Sequence, residues 1–146
     1  VHINLKIVTM PIEVKWLNKN KQVILLNFVG GHVESWNEYN EAVDEAWALA
    51  DEVEYPVVAI FAAYNTPMPV GSPVPHMRRA LMSQPANIVM NISIVERTFE
   101  KLMIDMVAEM KLSRKIQTVT SWDDVNKLLK ADNLPIVPLE DVPQRK

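Results

Sequence analysis

The chain of 146 residues contains no cysteine, which removes disulfides, thiol nucleophiles and thiolate metal sites together and fits a cytoplasmic protein. No apolar run approaches the ~20 residues that a membrane-spanning helix needs, and no basic stretch leads into an apolar segment and cleavage site. Clustered positive charge is missing as well. The 15 Lys and Arg are interspersed with 18 Asp and Glu for a net charge of -3, whereas a surface for nucleic acid gathers its basic residues in one place. Neither a nucleic-acid partner nor membrane insertion is expected. The three histidines, His2, His32 and His76, are too scattered for a metal site, and no His-Glu-x-x-His or paired-carboxylate spacing supports one. No cofactor is expected.

What is present suits a soluble globular domain. Hydrophobic residues make up 49% and charged residues 23%, and a chain of this length buries roughly 70% of the surface that its unfolded form exposes. One domain is expected over residues 11–132, with a proline-rich tail at 133–146. Because Met10-Pro11 stands directly before the first strand pattern, residues 1–10 are expected to be an N-terminal extension.

Ile12-Glu-Val-Lys-Trp16 alternates apolar and polar residues, and Asn18-Lys-Asn20 supplies turn chemistry before Gln22-Val-Ile-Leu-Leu-Asn-Phe-Val29. This predicts a hairpin. Gly30-Gly31 releases the chain, and Ser35-Trp-Asn-Glu38 is a capping box opening a helix with Trp36, Tyr39, Val43, Ala46, Trp47 and Ala50 on one face. Its acids, Glu38, Glu41, Asp44 and Glu45, are read as a solvated face in preference to a surface for a basic partner. Pro56-Val-Val-Ala-Ile-Phe-Ala-Ala63 is the clearest buried strand. A short helix follows from about Pro73 to Ser83 and stops before Pro85. Asn87–Val95 is a further strand, with Ile88, Met90, Ile92 and Ile94 on one face. Phe99, Leu102, Met103, Met106, Val107 and Met110 then form a helical stripe, expected first as core beneath the sheet. Lys115–Val119 is a last strand, and Ser121-Trp-Asp-Asp124 caps a helix built on Trp122, Val125, Leu128 and Leu129. The tail, with three prolines, is expected to be extended. The order is ββαβαβαβα. It predicts an α/β fold with a mostly parallel sheet of four to five strands, the first antiparallel to the second, and helices packed on it.

Four of the ten prolines crowd Tyr64-Asn-Thr-Pro-Met-Pro-Val-Gly-Ser-Pro-Val-Pro-His76, just after the buried strand. Loops at the carboxyl ends of parallel strands are where ligands and partners meet an α/β sheet. Asn65, Thr66, Met68, Val70, Ser72, His76, Arg78 and Arg79 are therefore the candidate contact residues. Proline reduces the entropy lost when such a segment docks. Ser72 is read as an N-cap with Pro73 at the first helical position. His76, four residues on, could face Ser72, but a nucleophile-base pair also needs an orienting acid and an oxyanion site, and Gly-Ser-Pro is not a Gly-x-Ser-x-Gly elbow. No catalytic residue is assigned, and a hydrolase is the least favoured reading.

Three stretches carry a family resemblance: Val-Ile-Leu-Leu-Asn-Phe-Val-Gly with its acidic helix at 23–50, Val-Glu-Tyr-Pro-Val-Val at 53–58, and Pro-His-Met-Arg-Arg-Ala-Leu at 75–81. Over about residues 11–131 the chain resembles the STAS domain of anti-sigma-factor antagonists and sulfate transporters, most closely the small bacterial SpoIIAA-like proteins. The resemblance implies a non-enzymatic regulatory module with an unidentified protein partner and a possible homodimer. It also implies Ser72 as a phosphorylation site, although the family's Asp-Ser-Ser-Gly turn is not present. Some SpoIIAA-like relatives are similar to lipid-binding CRAL-TRIO domains. That likeness implies the alternative, a module for a small apolar or anionic ligand, with Met68, Met77 and Met82 joining the Met stripe in an apolar pocket.

Overall fold

Among the described residues five strands and four α-helices follow in the order read from the sequence. They are β1 Glu13–Trp16, β2 Val23–Asn27, α1 Trp36–Asp51, β3 Val57–Tyr64, α2 Val74–Met82, β4 Ile88–Val95, α3 Arg97–Met110, β5 Ile116–Val119 and α4 Trp122–Ala131. The structure, a computed structural model, describes residues 12–28, 33, 35–64, 66, 68–112 and 116–143. The expectations placed on residues 1–10, His2, His32, Gly30-Gly31 and Asn65 lie outside the described residues.

The strands form one sheet in the order β1-β2-β3-β4-β5, with β1 antiparallel to β2 and every other pair parallel. Asn18 closes the hairpin by accepting at Oδ1 from the Gln22 amide at 2.9 Å. This is the α/β layout expected from the sequence, a sheet of five strands consistent with a STAS-like ββαβαβαβα arrangement.

Alternation along the buried strands divides the core in two. On one face Ile24, Leu26, Val57, Ala59 and Phe61 pack with Tyr39, Val43, Ala46 and Trp47 of α1 and with Ala80 of α2. On the other, Val23, Leu25, Val58, Ile60, Ala62, Met90, Ile92 and Ile94 pack with Val125 and Leu129 of α4. The second and third helices meet through Val74, Met77, Leu81 and Met110, against Ile116 of β5. Thus α1, α2 and α3 share one face, and α4 crosses to the other.

Strand β4 departs from the expected pattern. Ile88 was grouped with Met90, Ile92 and Ile94, yet it joins the α1 face while the other three face α4. The cause is a register shift: Val57 pairs with Ile88 and Val58 with Met90, so Val89 is an extra residue that bulges outward, exposed. The same shift turns Asn91 to the face that α1 and α2 cover, where it is buried. There it exchanges two amide hydrogen bonds with Gln84, just beyond α2, so neither buried group is left unsatisfied.

Side chains complete the joints. The Trp47 indole donates to the Ala80 carbonyl at 3.0 Å, tying α1 to α2. The Asn87 amide donates to the carbonyls of Ala50 and Val53 at 3.0 and 3.1 Å, tying the start of β4 to the end of α1 and the turn that follows it.

The tail is more than an extended leash. Val137 is buried, Leu134 and Val142 pack against the α4 face, and residues Leu139–Asp141 form a 3-10 turn. Asn126 of α4 holds this strap by donating to the Val137 carbonyl at 3.0 Å and accepting from its amide at 2.8 Å. Asn126→Ala should therefore lower unfolding stability by about 1–3 kcal/mol, read as a reduced urea midpoint.

Tyr39 sits in the first core with its ring near Phe28 and edge-on to Trp36, at centroid distances of 6.0 and 5.4 Å. Burial pushes its phenol well above the usual value of 10, because the phenolate would lose its hydration. The folded state thus resists ionisation while the unfolded chain does not, so this contribution is complete below pH 10 and is lost as pH rises beyond it. Urea titrations from pH 8 to 11 should show that decline in the native protein and a flatter one in Tyr39→Phe.

Candidate functional site

The chain leaves β3 through a kink. Tyr64, its last residue, has φ 49°, a left-handed conformation that a bulky residue adopts only where its surroundings enforce it. The enforcement is visible. The Tyr64 hydroxyl accepts from the Trp122 indole of α4 at 3.0 Å, and a register irregularity separates Ala62 from Tyr64 along β4.

Beyond the kink the proline-rich loop is pinned at several points. Thr66 donates its amide to the Ala63 carbonyl at 3.0 Å and its hydroxyl to the Phe28 carbonyl at 3.3 Å. Farther on, the indole of Trp36, the first residue of α1, donates to the Val70 carbonyl at 3.1 Å. Gly71 follows with φ 111°, a conformation that an L side chain makes costly. His76 lies flat on Trp36, with ring centroids 4.3 Å apart and planes 4° from parallel.

This arrangement revises two readings. The cap position of α2 is Pro73, which makes no side-chain cap bond, and Ser72 is exposed in the turn before it. A serine cap bonds the amide three residues on, and three residues after Ser72 stands Pro75, which has no amide hydrogen to give. His76 is engaged with the Trp36 ring, not paired with Ser72 as a base would be.

The Met stripe of α3 is also placed differently. Of its residues only Met110 is fully buried, while Phe99 and Leu102 are 42% and 57% exposed and Met103, Met106 and Val107 are intermediate. Glu96 alone separates β4 from α3, so the first turns of the helix stand at the carboxyl rim of the sheet. There they have the loop beside them. The result is a groove of about 300 Å³ whose floor is Ala63, Tyr64 and Val95, whose loop side is Thr66, Met68 and Pro73, and whose helical walls are Met77 of α2 and Phe99, Leu102, Met103 and Met106 of α3. Met82 takes no part. It is 72% exposed on α2.

Of the predicted contact residues, the structure brings Thr66 and Met68 into this groove and places Val70, wholly exposed, on the loop outside it. Arg78 and Arg79 lie on α2 beside Pro75, Met82 and Ser83, and Arg79 grips both carboxylate oxygens of Asp44 at 3.2 Å. Its charge is committed to α1. Among the described residues the groove lining has no acid, base or serine; its hydroxyls belong to Tyr64 and Thr66. Such a surface can exclude water from an apolar occupant and hold it. It offers no nucleophile-base pair and no charge to match an ionised ligand.

A second depression went unnoticed in the sequence. At the carboxyl ends of β4 and β5, where α3 and α4 part to opposite faces, Glu96, Arg97, Thr98, Thr120, Ser121, Asp123, Asp124 and Lys127 surround an open cleft of about 690 Å³. Divergence of this kind marks a common ligand position in α/β sheets, and only the folded order of strands reveals it. Four of the cleft residues serve one another. Ser121 accepts from the Asp124 amide at 3.1 Å, Thr120 donates to the Asp124 carboxylate at 3.4 Å, and Lys127 lies 3.9 Å from it.

Among the described residues, no group of three or more His, Cys, Asp or Glu is arranged to hold a metal, and no helix is long and apolar enough to cross a membrane. No family model, curated protein or solved structure matches the chain.

The Trp36 bond makes the loop conditional on α1. Trp36→Phe keeps a ring for His76 to stack on and deletes the donor to Val70, so amide exchange across residues 68–73 should quicken several-fold by mass spectrometry. Global stability should change by less than about 1 kcal/mol, since an exposed hydrogen bond contributes little net energy.

Proposed function

We propose that this protein is a non-enzymatic binding module whose groove between the proline-rich loop, α2 and α3 takes a small, uncharged apolar ligand. One observation carries the reading: an apolar concavity stands open at the carboxyl rim of the sheet, lined by four methionines, Phe99 and Leu102, with no charged side chain in its wall among the described residues. A volume near 300 Å³ is at the small end of ligand sites. Thioether side chains adapt to irregular occupants. Of the two ligand types that the CRAL-TRIO-like resemblance implies, this chemistry favours the apolar over the anionic.

A protein partner on the same rim is the second reading, and it is the one that the STAS-like resemblance implies. The full exposure of Val70 and the 41% exposure of Met68 favour it, because apolar groups at a rigid loop tip suit a docking contact. Ser72, exposed in the same turn, is accessible to a kinase under this reading.

The uncharged probe N-phenyl-1-naphthylamine separates the two. Under the ligand reading its fluorescence rises saturably with the native protein. Leu102→Gln and Phe99→Gln, which alter half-exposed positions at the mouth, should each weaken binding about fivefold or more by placing an amide against the apolar occupant, with Tm unchanged. No saturable binding by the folded native protein would overturn the ligand reading.

A further inference from the structure

Peroxide has one kind of sulfur to attack in this chain, because it has eight methionines and no cysteine. Their settings differ sharply. Met77, Met90 and Met110 are buried, Met103 and Met106 are half-buried, and Met68 and Met82 are 41% and 72% exposed. Met10 lies outside the described residues; among the other seven, Met68 alone is both exposed and part of the groove wall, and Met82 lies outside it.

We propose that Met68 is an oxidative modification site that regulates the groove: its conversion to the sulfoxide by a hydroperoxide lowers the affinity for an apolar ligand. The inference rests on the ligand reading above. In the reaction a sulfur lone pair attacks one peroxide oxygen, the S–O bond forms, and the O–O bond breaks. The oxygen now on sulfur gives up its proton to the departing group, so that hydroxide leaves as water from hydrogen peroxide, or alkoxide leaves as an alcohol from an alkyl hydroperoxide. The thioether loses two electrons and the peroxide gains them.

The consequence follows from the wall around Met68. A sulfoxide oxygen is a strong hydrogen-bond acceptor, and the neighbouring Thr66 hydroxyl already donates to the Phe28 carbonyl. In the empty groove water solvates the new oxygen at the open mouth. An apolar occupant displaces that water and gives nothing back, so binding carries a desolvation cost that the thioether does not impose. The loop itself stays in place, since its anchors at Trp36, Thr66 and Gly71 contain no sulfur. Met82 serves as an internal reference, because its oxidation reports exposure to peroxide without touching the groove.

The test begins with saturable binding of N-phenyl-1-naphthylamine by the untreated protein; without it, the ligand reading fails and this inference falls with it. Graded hydrogen peroxide follows, with peptide-mapping mass spectrometry and a new titration at each step. Met68 and Met82 should gain oxygen before Met77, Met90 and Met110. Probe affinity should fall about fivefold or more in step with Met68 sulfoxide, and methionine sulfoxide reductase with a thiol should restore it. Met82→Leu should keep both the affinity and its sensitivity to peroxide. Met68→Leu, referred to its own untreated affinity, should no longer respond to peroxide at the dose that modifies native Met68. Unchanged affinity when Met68 is oxidised, a Met68 that stays reduced while Met82 is modified, or an undiminished response in Met68→Leu would each overturn the proposal and leave the ligand reading standing.

Discussion

The structure depends on covering one strand twice. β3 is apolar from Val57 to Ala62 and buried throughout, with alternate residues turned toward α1 and toward α4. A parallel strand of that kind cannot face water on either side, so helices must lie on both faces. The first three crossovers occupy one face, which leaves the other to the final helix and the tail strapped beneath it by Asn126. The chain accordingly changes sides after β5. Both concavities at the carboxyl rim follow from this routing, the apolar groove between α2 and α3 and the polar cleft where α3 and α4 part.

The two concavities are chemically unlike. In the cleft, Thr120, Ser121 and Lys127 all gather on Asp124. In the groove, apolar surface is left partly uncovered, because only Glu96 separates β4 from α3 and the first turns of the helix meet no more than the last residues of β3 and β4. Loop 66–73 forms the remaining wall, and it is held by bonds to Trp36, Ala63 and Phe28. A wall fixed from several directions keeps the groove open instead of letting Met68 fold inward to fill it.

The fold was legible because its signals were redundant. Ser35 and Ser121 cap α1 and α4 as their patterns predicted, accepting from Glu38 and Asp124, and alternation with helices required a parallel sheet. Register was not legible, since no residue near Val89 announces a bulge and the alternation of Ile88, Met90, Ile92 and Ile94 ran across it unbroken. The site was legible only as a place. Loop chemistry pointed to residues 64–76, but the stacking of His76 on Trp36 and the salt bridge of Arg79 to Asp44 join residues about 35 to 40 positions apart. Periodicity showed that Phe99, Leu102, Met103 and Met106 share one face of a helix. Whether that face met the sheet or overhung its rim was decided by the length of the β4–α3 connection.

The Gln84–Asn91 pair has a consequence beyond satisfying two buried amides. Apolar contacts between α2 and β4 tolerate a small slide or rotation with little loss, since one methyl is much like the next. Two reciprocal amide bonds do not, because both break together if the helix shifts by a fraction of a turn. The pair therefore acts as a locating pin for α2. Met77, in the helix that Gln84 directly follows, is set at one height in the groove wall by a polar contact that the groove itself never meets.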